Sequence, residues 1–245
     1  MIRLIFYGKV SSQAEPFCSG RFPEIFIFVH FSCCILRIMK TPTSYDSLPD
    51  GYAQAGIVDL KNNRQASILL NVFASIPLLI AYFWVSYAVT ERGMEFSQTF
   101  FIIAVFFSLY IVYIILHELT HGIVYSLRTG HKLCFGFDGL IAWCGVPGIY
   151  VSRKTAIEAL VAPLLVYSIV FGLLIAFVPS FSWKMIFVLL LTAHLGGCAG
   201  DIYDTWLLAF RYNNPKTLML DDGPVQRFYE PVDLPQIPHQ DTPES

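Results

Sequence analysis

His117-Glu118-Leu119-Thr120-His121 is the stretch of this 245-residue chain whose residue types and spacing can do chemistry. On a helix, histidines at i and i+4 project from one face and can share a zinc ion. Glu118 beside them is placed to take a proton from water at the metal. With six histidines in the chain, this H-E-x-x-H pattern would arise by chance about once in two hundred sequences of the same composition. It lies inside a long apolar run, where an ionisable side chain costs several kcal/mol and is rarely kept without a task. The pattern points to zinc-assisted hydrolysis inside a bilayer, with Zn2+ as cofactor.

Catalytic zinc takes three protein ligands and leaves a fourth position open, so one ligand must come from elsewhere. The last apolar run offers His194-Leu-Gly-Gly-Cys-Ala-Gly-Asp201-Ile-Tyr-Asp204. His117 and His121 precede Arg128 by 11 and 7 residues, and Asp201 precedes Arg211 by 10. If both arginines mark the same interface, Asp201 lies level with the histidines. Asp204 then lies roughly 4.5 Å nearer the interface and His194 roughly 10 Å farther from it. Asp201 is the favoured third ligand, with Asp204 and His194 as alternatives. Either of these could instead support a ligand or hydrogen-bond across helices. Tyr167, one turn after Pro163, could present a hydroxyl to the site or bond between helices. Pro163 removes a backbone donor and bends its helix.

The elements that carry these residues follow from composition. The chain is 55% hydrophobic and 14% charged, with mean hydropathy +0.57, against about a quarter charged in soluble domains. It reads as an integral membrane protein in a lipid bilayer. The net charge of −2 says nothing about nucleic acid, and no basic cluster suggests a nucleic-acid partner, so none is expected. Four runs are long enough to span: Ser67 to Val89, Thr99 to Leu127, Ala156 to Val178 and Trp183 to Phe210. The expected fold is an all-α bundle of about four transmembrane helices. Lys and Arg alternate between rich and poor loops, which predicts cytoplasmic N- and C-termini. Six cysteines without C-x-x-C spacing read as unpaired thiols.

Between the second and third spans, Lys132 to Phe137 and Leu140 to Cys144 flank Asp138-Gly139, a two-residue turn signal that predicts a small β-hairpin. This hairpin either caps the bundle or holds an extended substrate by strand addition. Residues 39–66 form a polar N-terminal segment, and 67–211 the membrane domain. Residues 212–245 form a Pro-rich tail with a disordered end. Residues 1–38 fit the rest poorly. They read as an extension ahead of a start at Met39, or as an interfacial helix.

Several motifs resemble those of a family of small multi-pass membrane proteins described as "putative zincin peptidase". They are Leu48-Pro49-x-Gly51-Tyr52, the H-E-x-x-H pattern, Cys144-x-x-Pro147-Gly148-x-Tyr150-Val151-Ser152, Ala162-Pro163 and Gly200-Asp201-Ile202. They are similar, more distantly, to those of the site-2 class of intramembrane metalloproteases. The resemblance runs from about Leu48 to Pro231. It implies zinc at His117, His121 and Asp201, with Glu118 as acid and base, acting on a membrane-associated protein or peptide. The alternatives are a membrane metal-binding or transport protein, or a non-catalytic scaffold on the same fold. The absence of internal repeats argues against a transporter, and the intact Glu118 argues against a silent scaffold.

Overall fold

Long apolar segments can satisfy their backbone in lipid only as helices, and among the described residues four helical segments are long and apolar enough to cross a membrane. The computed structural model describes residues 43–59, 63–138, 141–222 and 225–232. In chain order, strands β1 (Ser44–Tyr45) and β2 (Tyr52–Asp59) precede helices α1 (Arg64–Arg92) and α2 (Phe96–Thr129). Strands β3 (Cys134–Asp138), β4 (Ile141–Gly145) and β5 (Tyr150–Ser152) follow, then α3 (Arg153–Phe177). The fourth span divides into α4 (Phe181–Gly197), α5 (Ala199–Trp206) and a π-helical turn, Leu207–Arg211; β6 (Leu218–Asp221) and β7 (Val225–Pro231) complete the order.

The helix ends carry recognisable stops. Gly130 closes α2 in the left-handed region, φ 76°, and its N–H reaches the Ser126 carbonyl, the conformation glycine adopts at least cost. Ser152 caps α3 by accepting the Thr155 N–H. At 34 residues, α2 is about 50 Å long at 1.5 Å per residue. That exceeds the ~30 Å hydrocarbon layer, so one end of this helix must emerge. Large apolar side chains such as Leu69, Phe73, Phe83, Phe100 and Phe107 are exposed on the outside of α1 and α2, as lipid-facing positions would be.

The β-structure differs from the single hairpin read in the sequence. A five-stranded antiparallel sheet has the order β1-β5-β6-β7-β2, and β3 and β4 form a separate two-stranded pair. The larger sheet draws on three separate segments: one ahead of α1, one ahead of α3 and one after the fourth span. The polar N-terminal segment, 39–66, and the Pro-rich tail, 212–245, therefore both contribute strands. In β7 the buried Gln226 and Phe228 alternate with the half-exposed Arg227, the period-two pattern of a strand with one covered face. The proline-rich surroundings hide this short run. Residues 1–38, the Gly139 turn position and the expected disordered end at 233–245 lie outside the described residues.

Among the described residues three apolar clusters hold the molecule together, the smallest of them Leu218, Leu220 and Tyr229 in the sheet. One, including Ala88, Ile102, Tyr113, Phe171, Met185 and Ile186, fills the bundle. Another, including Tyr125, Ile149, Ala156, Leu160, Leu208 and Phe228, joins the helix ends to the sheet. Arg128 Nε pairs with Glu158 Oε2 at 2.7 Å, tying α2 to α3. Arg153 Nε donates to the Leu208 carbonyl at 2.6 Å, fixing the π-helical turn against α3. Cys134 is disulfide-bonded, which corrects the reading of all six cysteines as thiols. Cys144 and Cys198 are free and buried, whereas Cys18, Cys33 and Cys34 lie outside the described residues.

Candidate metal centre

One turn of α2 separates His117 from His121, and helical geometry alone brings their rings together. Their Nε2 atoms are 3.2 Å apart. The third corner comes from α5: Asp201 Oδ2 lies 3.3 Å from His117 Nε2 and 3.4 Å from His121 Nε2. Ligand atoms at 2.0–2.1 Å from a tetrahedral centre lie roughly 3.3–3.4 Å from one another. The observed triangle therefore has the dimensions zinc requires, and its two imidazoles and one carboxylate are a donor set zinc accepts. All three side chains are buried; His117 is fully covered, at 0% exposure.

Asp201 follows an interruption in the fourth span. Gly196 packs against the Ala74 carbonyl of α1, at a spot where a β-carbon would collide with the backbone. The helix then breaks at Cys198, whose ψ of 0° is non-helical, and restarts at Ala199. Asp201 sits in the first turn of the new segment, where helix dipoles favour a carboxylate.

The outward nitrogens of both histidines are also engaged. His121 Nδ1 lies 2.9 Å from the Ala159 carbonyl of α3, and His117 Nδ1 lies 2.8 Å from the Tyr113 hydroxyl. That hydroxyl also meets His194 Nδ1 at 2.7 Å, while His194 Nε2 approaches Ser168 Oγ at 3.2 Å and the Leu164 carbonyl at 3.3 Å. His117, His194 and Cys198 form a second group close enough to hold an ion. However, the Tyr113 hydroxyl bonds both Nδ1 atoms of that group, and the zinc-sized triangle is the one with Asp201.

Glu118 is buried, at 3% exposure, on the side of α2 covered by the β3–β4 pair. One turn on, Gly122 packs against the Cys144 thiol of β4, and a side chain larger than hydrogen would collide there. Burial pushes the Cys144 thiol up to about 12, and the neighbouring Glu118 charge adds to the rise. The strand therefore lies directly beside the residue that would handle protons. Asp204 is buried one turn after Asp201 and is not part of the triangle. The Tyr167 ring stacks near His117, with centroids 6.3 Å apart. Its hydroxyl donates to the Leu116 carbonyl at 2.9 Å and meets Thr120 Oγ1 at 3.0 Å. That hydroxyl braces α2 instead of facing the triangle.

The sequence reading did not single out Tyr113, Ser168 or the Ala159 carbonyl. Tyr113 carried a usable signal, because it precedes His117 by four residues and shares its helix face.

Residues 110–215 match the family model described as "putative zincin peptidase". This is a narrower span than Leu48 to Pro231, and it carries no finding of likeness to the site-2 class. It includes the whole triangle, Glu118, Tyr113, Pro163 and His194. No curated protein and no solved structure matches the chain.

Proposed function

We propose that this chain is an intramembrane zinc metallopeptidase. It takes the resemblance over residues 110–215 as a premise, and a metallopeptidase is what that family suggests. The observation that carries the finer reading is the set of 3.2–3.4 Å edges joining His117, His121 and Asp201, with Glu118 buried next to them. His117 Nε2, His121 Nε2 and Asp201 Oδ2 would hold the metal.

Zinc bound there supplies a Lewis acid that polarises a peptide carbonyl and makes water acidic enough to lose a proton near neutral pH. The Glu118 carboxylate accepts that proton and returns it to the nitrogen of the departing amine, as a positioned acid–base group does. Glu118 is buried, at 3% exposure, and a site shielded from bulk water strengthens electrostatic interactions. A helical peptide hides its carbonyls, so a substrate must be unwound. The backbone of β4, extended beside Glu118, offers a surface for an extended peptide by strand addition. The proposed substrate class is a membrane-associated protein or peptide, and the Lys/Arg alternation between loops supports a reading with both termini cytoplasmic.

The purified chain should carry about one zinc. Glu118→Gln should keep most of the metal and lose cleavage, whereas His121→Ala should lose both. Comparing the membrane proteomes of cells carrying wild-type and Glu118→Gln protein would reveal substrates as species that accumulate in the variant. Undiminished turnover by Glu118→Gln, or a metal-free wild-type protein, refutes the proposal.

A further inference from the structure

Pro163 lies in the interior of α3, and its ring nitrogen has no hydrogen. In a regular helix that nitrogen would donate to the carbonyl four residues earlier, at Ala159. Proline withholds that bond, and its ring crowds the same carbonyl, tilting it off the helix axis. The Ala159 oxygen is the atom that meets His121 Nδ1 at 2.9 Å. A carbonyl can only accept, so His121 carries its proton on Nδ1 and presents the Nε2 lone pair to the triangle.

The same logic applies to His117 through a longer chain. The Leu164 carbonyl, 3.3 Å from His194 Nε2, can only accept, which puts the His194 proton on Nε2 and leaves Nδ1 as an acceptor. The Tyr113 hydroxyl then donates to His194 Nδ1 over 2.7 Å. Its oxygen accepts from His117 Nδ1 over 2.8 Å, so His117 Nε2 is also a lone pair aimed at the triangle. These assignments are mutually consistent for a triangle that holds a metal, with the Ser168 hydroxyl sharing the His194 Nε2 proton at 3.2 Å, and each starts from a carbonyl close to Pro163 along α3.

We propose that α3 sets the tautomer and orientation of both metal-facing histidines: Pro163 frees the Ala159 carbonyl for His121, and the Leu164 carbonyl acts through His194 and Tyr113 on His117. Pro163, Tyr113 and His194 are positioning residues; none touches the reacting atoms. The inference rests on reading the triangle as a metal site. It gives the proline, the tyrosine and the distal histidine one shared role.

The test is zinc affinity of the purified full chain, by competition with a chromophoric chelator, together with the visible spectrum of the Co2+-substituted protein. Tyr113→Phe keeps the ring and removes only the hydroxyl. Pro163→Ala restores the backbone donor that competes for Ala159. Each should weaken zinc binding by about 10–100-fold and shift the cobalt bands, with helical content unchanged. Pro163→Ala is the sharper case, because a merely structural proline would be replaced with a gain in helix stability and no change at the metal. His194→Asn, whose side-chain oxygen can still accept from Tyr113, should bind more tightly than His194→Ala. Wild-type affinity and spectrum in both Tyr113→Phe and Pro163→Ala overturn the inference while leaving the metal site standing. A wild-type chain that binds no zinc overturns the metal site and this inference with it.

Discussion

Replacing Gly196 with alanine would place a methyl group within 3.0 Å of the Ala74 carbonyl oxygen, closer than real β-carbons approach. The obstacle is backbone, so no side chain can rotate away. Ordinary contact begins at 3.4 Å, so α1 and α4 must part by at least about 0.4 Å, twice the ±0.2 Å within which ligand distances are expected to hold. Gly196 lies two residues before the break at Cys198 and five before Asp201, so this displacement is delivered to the carboxylate corner of the triangle. Overpacking of this kind costs about 1–3 kcal/mol, offset by roughly 1 kcal/mol from the better helix propensity of alanine. A net loss of about 0–2 kcal/mol is expected, together with weaker zinc retention. Gly172 is the control. A β-carbon there meets nothing within 4 Å, so Gly172→Ala should gain about 0.5–1 kcal/mol and leave the metal untouched. Thermal unfolding in detergent and chelator competition on both variants check the pair. If Gly196→Ala is as stable as Gly172→Ala and holds zinc equally well, the close crossing of α1 and α4 does not position Asp201.

Asp201→Ala should lose zinc, because it leaves two nitrogens 3.2 Å apart and no third corner. Asp204→Asn should keep one zinc per chain by elemental analysis. Gly122→Ala should push β4 away from Glu118 by collision with the Cys144 thiol and lower the melting temperature, and Cys144→Ala in the same chain should restore part of the loss. Burial raises the Cys144 thiol from 9.0 to about 12, so the fold favours the protonated form. The stability this contributes is fully present below pH 9 and is lost as pH rises towards 12. Melting temperatures measured across that window should fall more steeply for wild type than for Cys144→Ala; parallel curves would show that the thiol is not held protonated.

Much of the chemistry was legible in the sequence because it depends on local spacing. His117 and His121, four residues apart, must share a helix face. Apolar runs of twenty or more residues must form spanning helices, since their backbone has no other partner in lipid. The choice among Asp201, Asp204 and His194 was less legible. Counting from Arg211 assumes a straight helix, whereas the fourth span breaks at Cys198 and widens into a π-helical turn at Leu207–Arg211. Two residues ahead of the break, Gly196 meets Ala74, a contact between residues 122 positions apart.

The sequence by itself therefore determined the pair of imidazoles, the acid beside them and the four spans, each set by periodicity within one segment. The sheet order and the third corner of the triangle were decided only by the tertiary structure. Strand pairing joins segments separated by whole helices. The carbonyl released by Pro163 has a role only because folding places His121 of another helix 2.9 Å away.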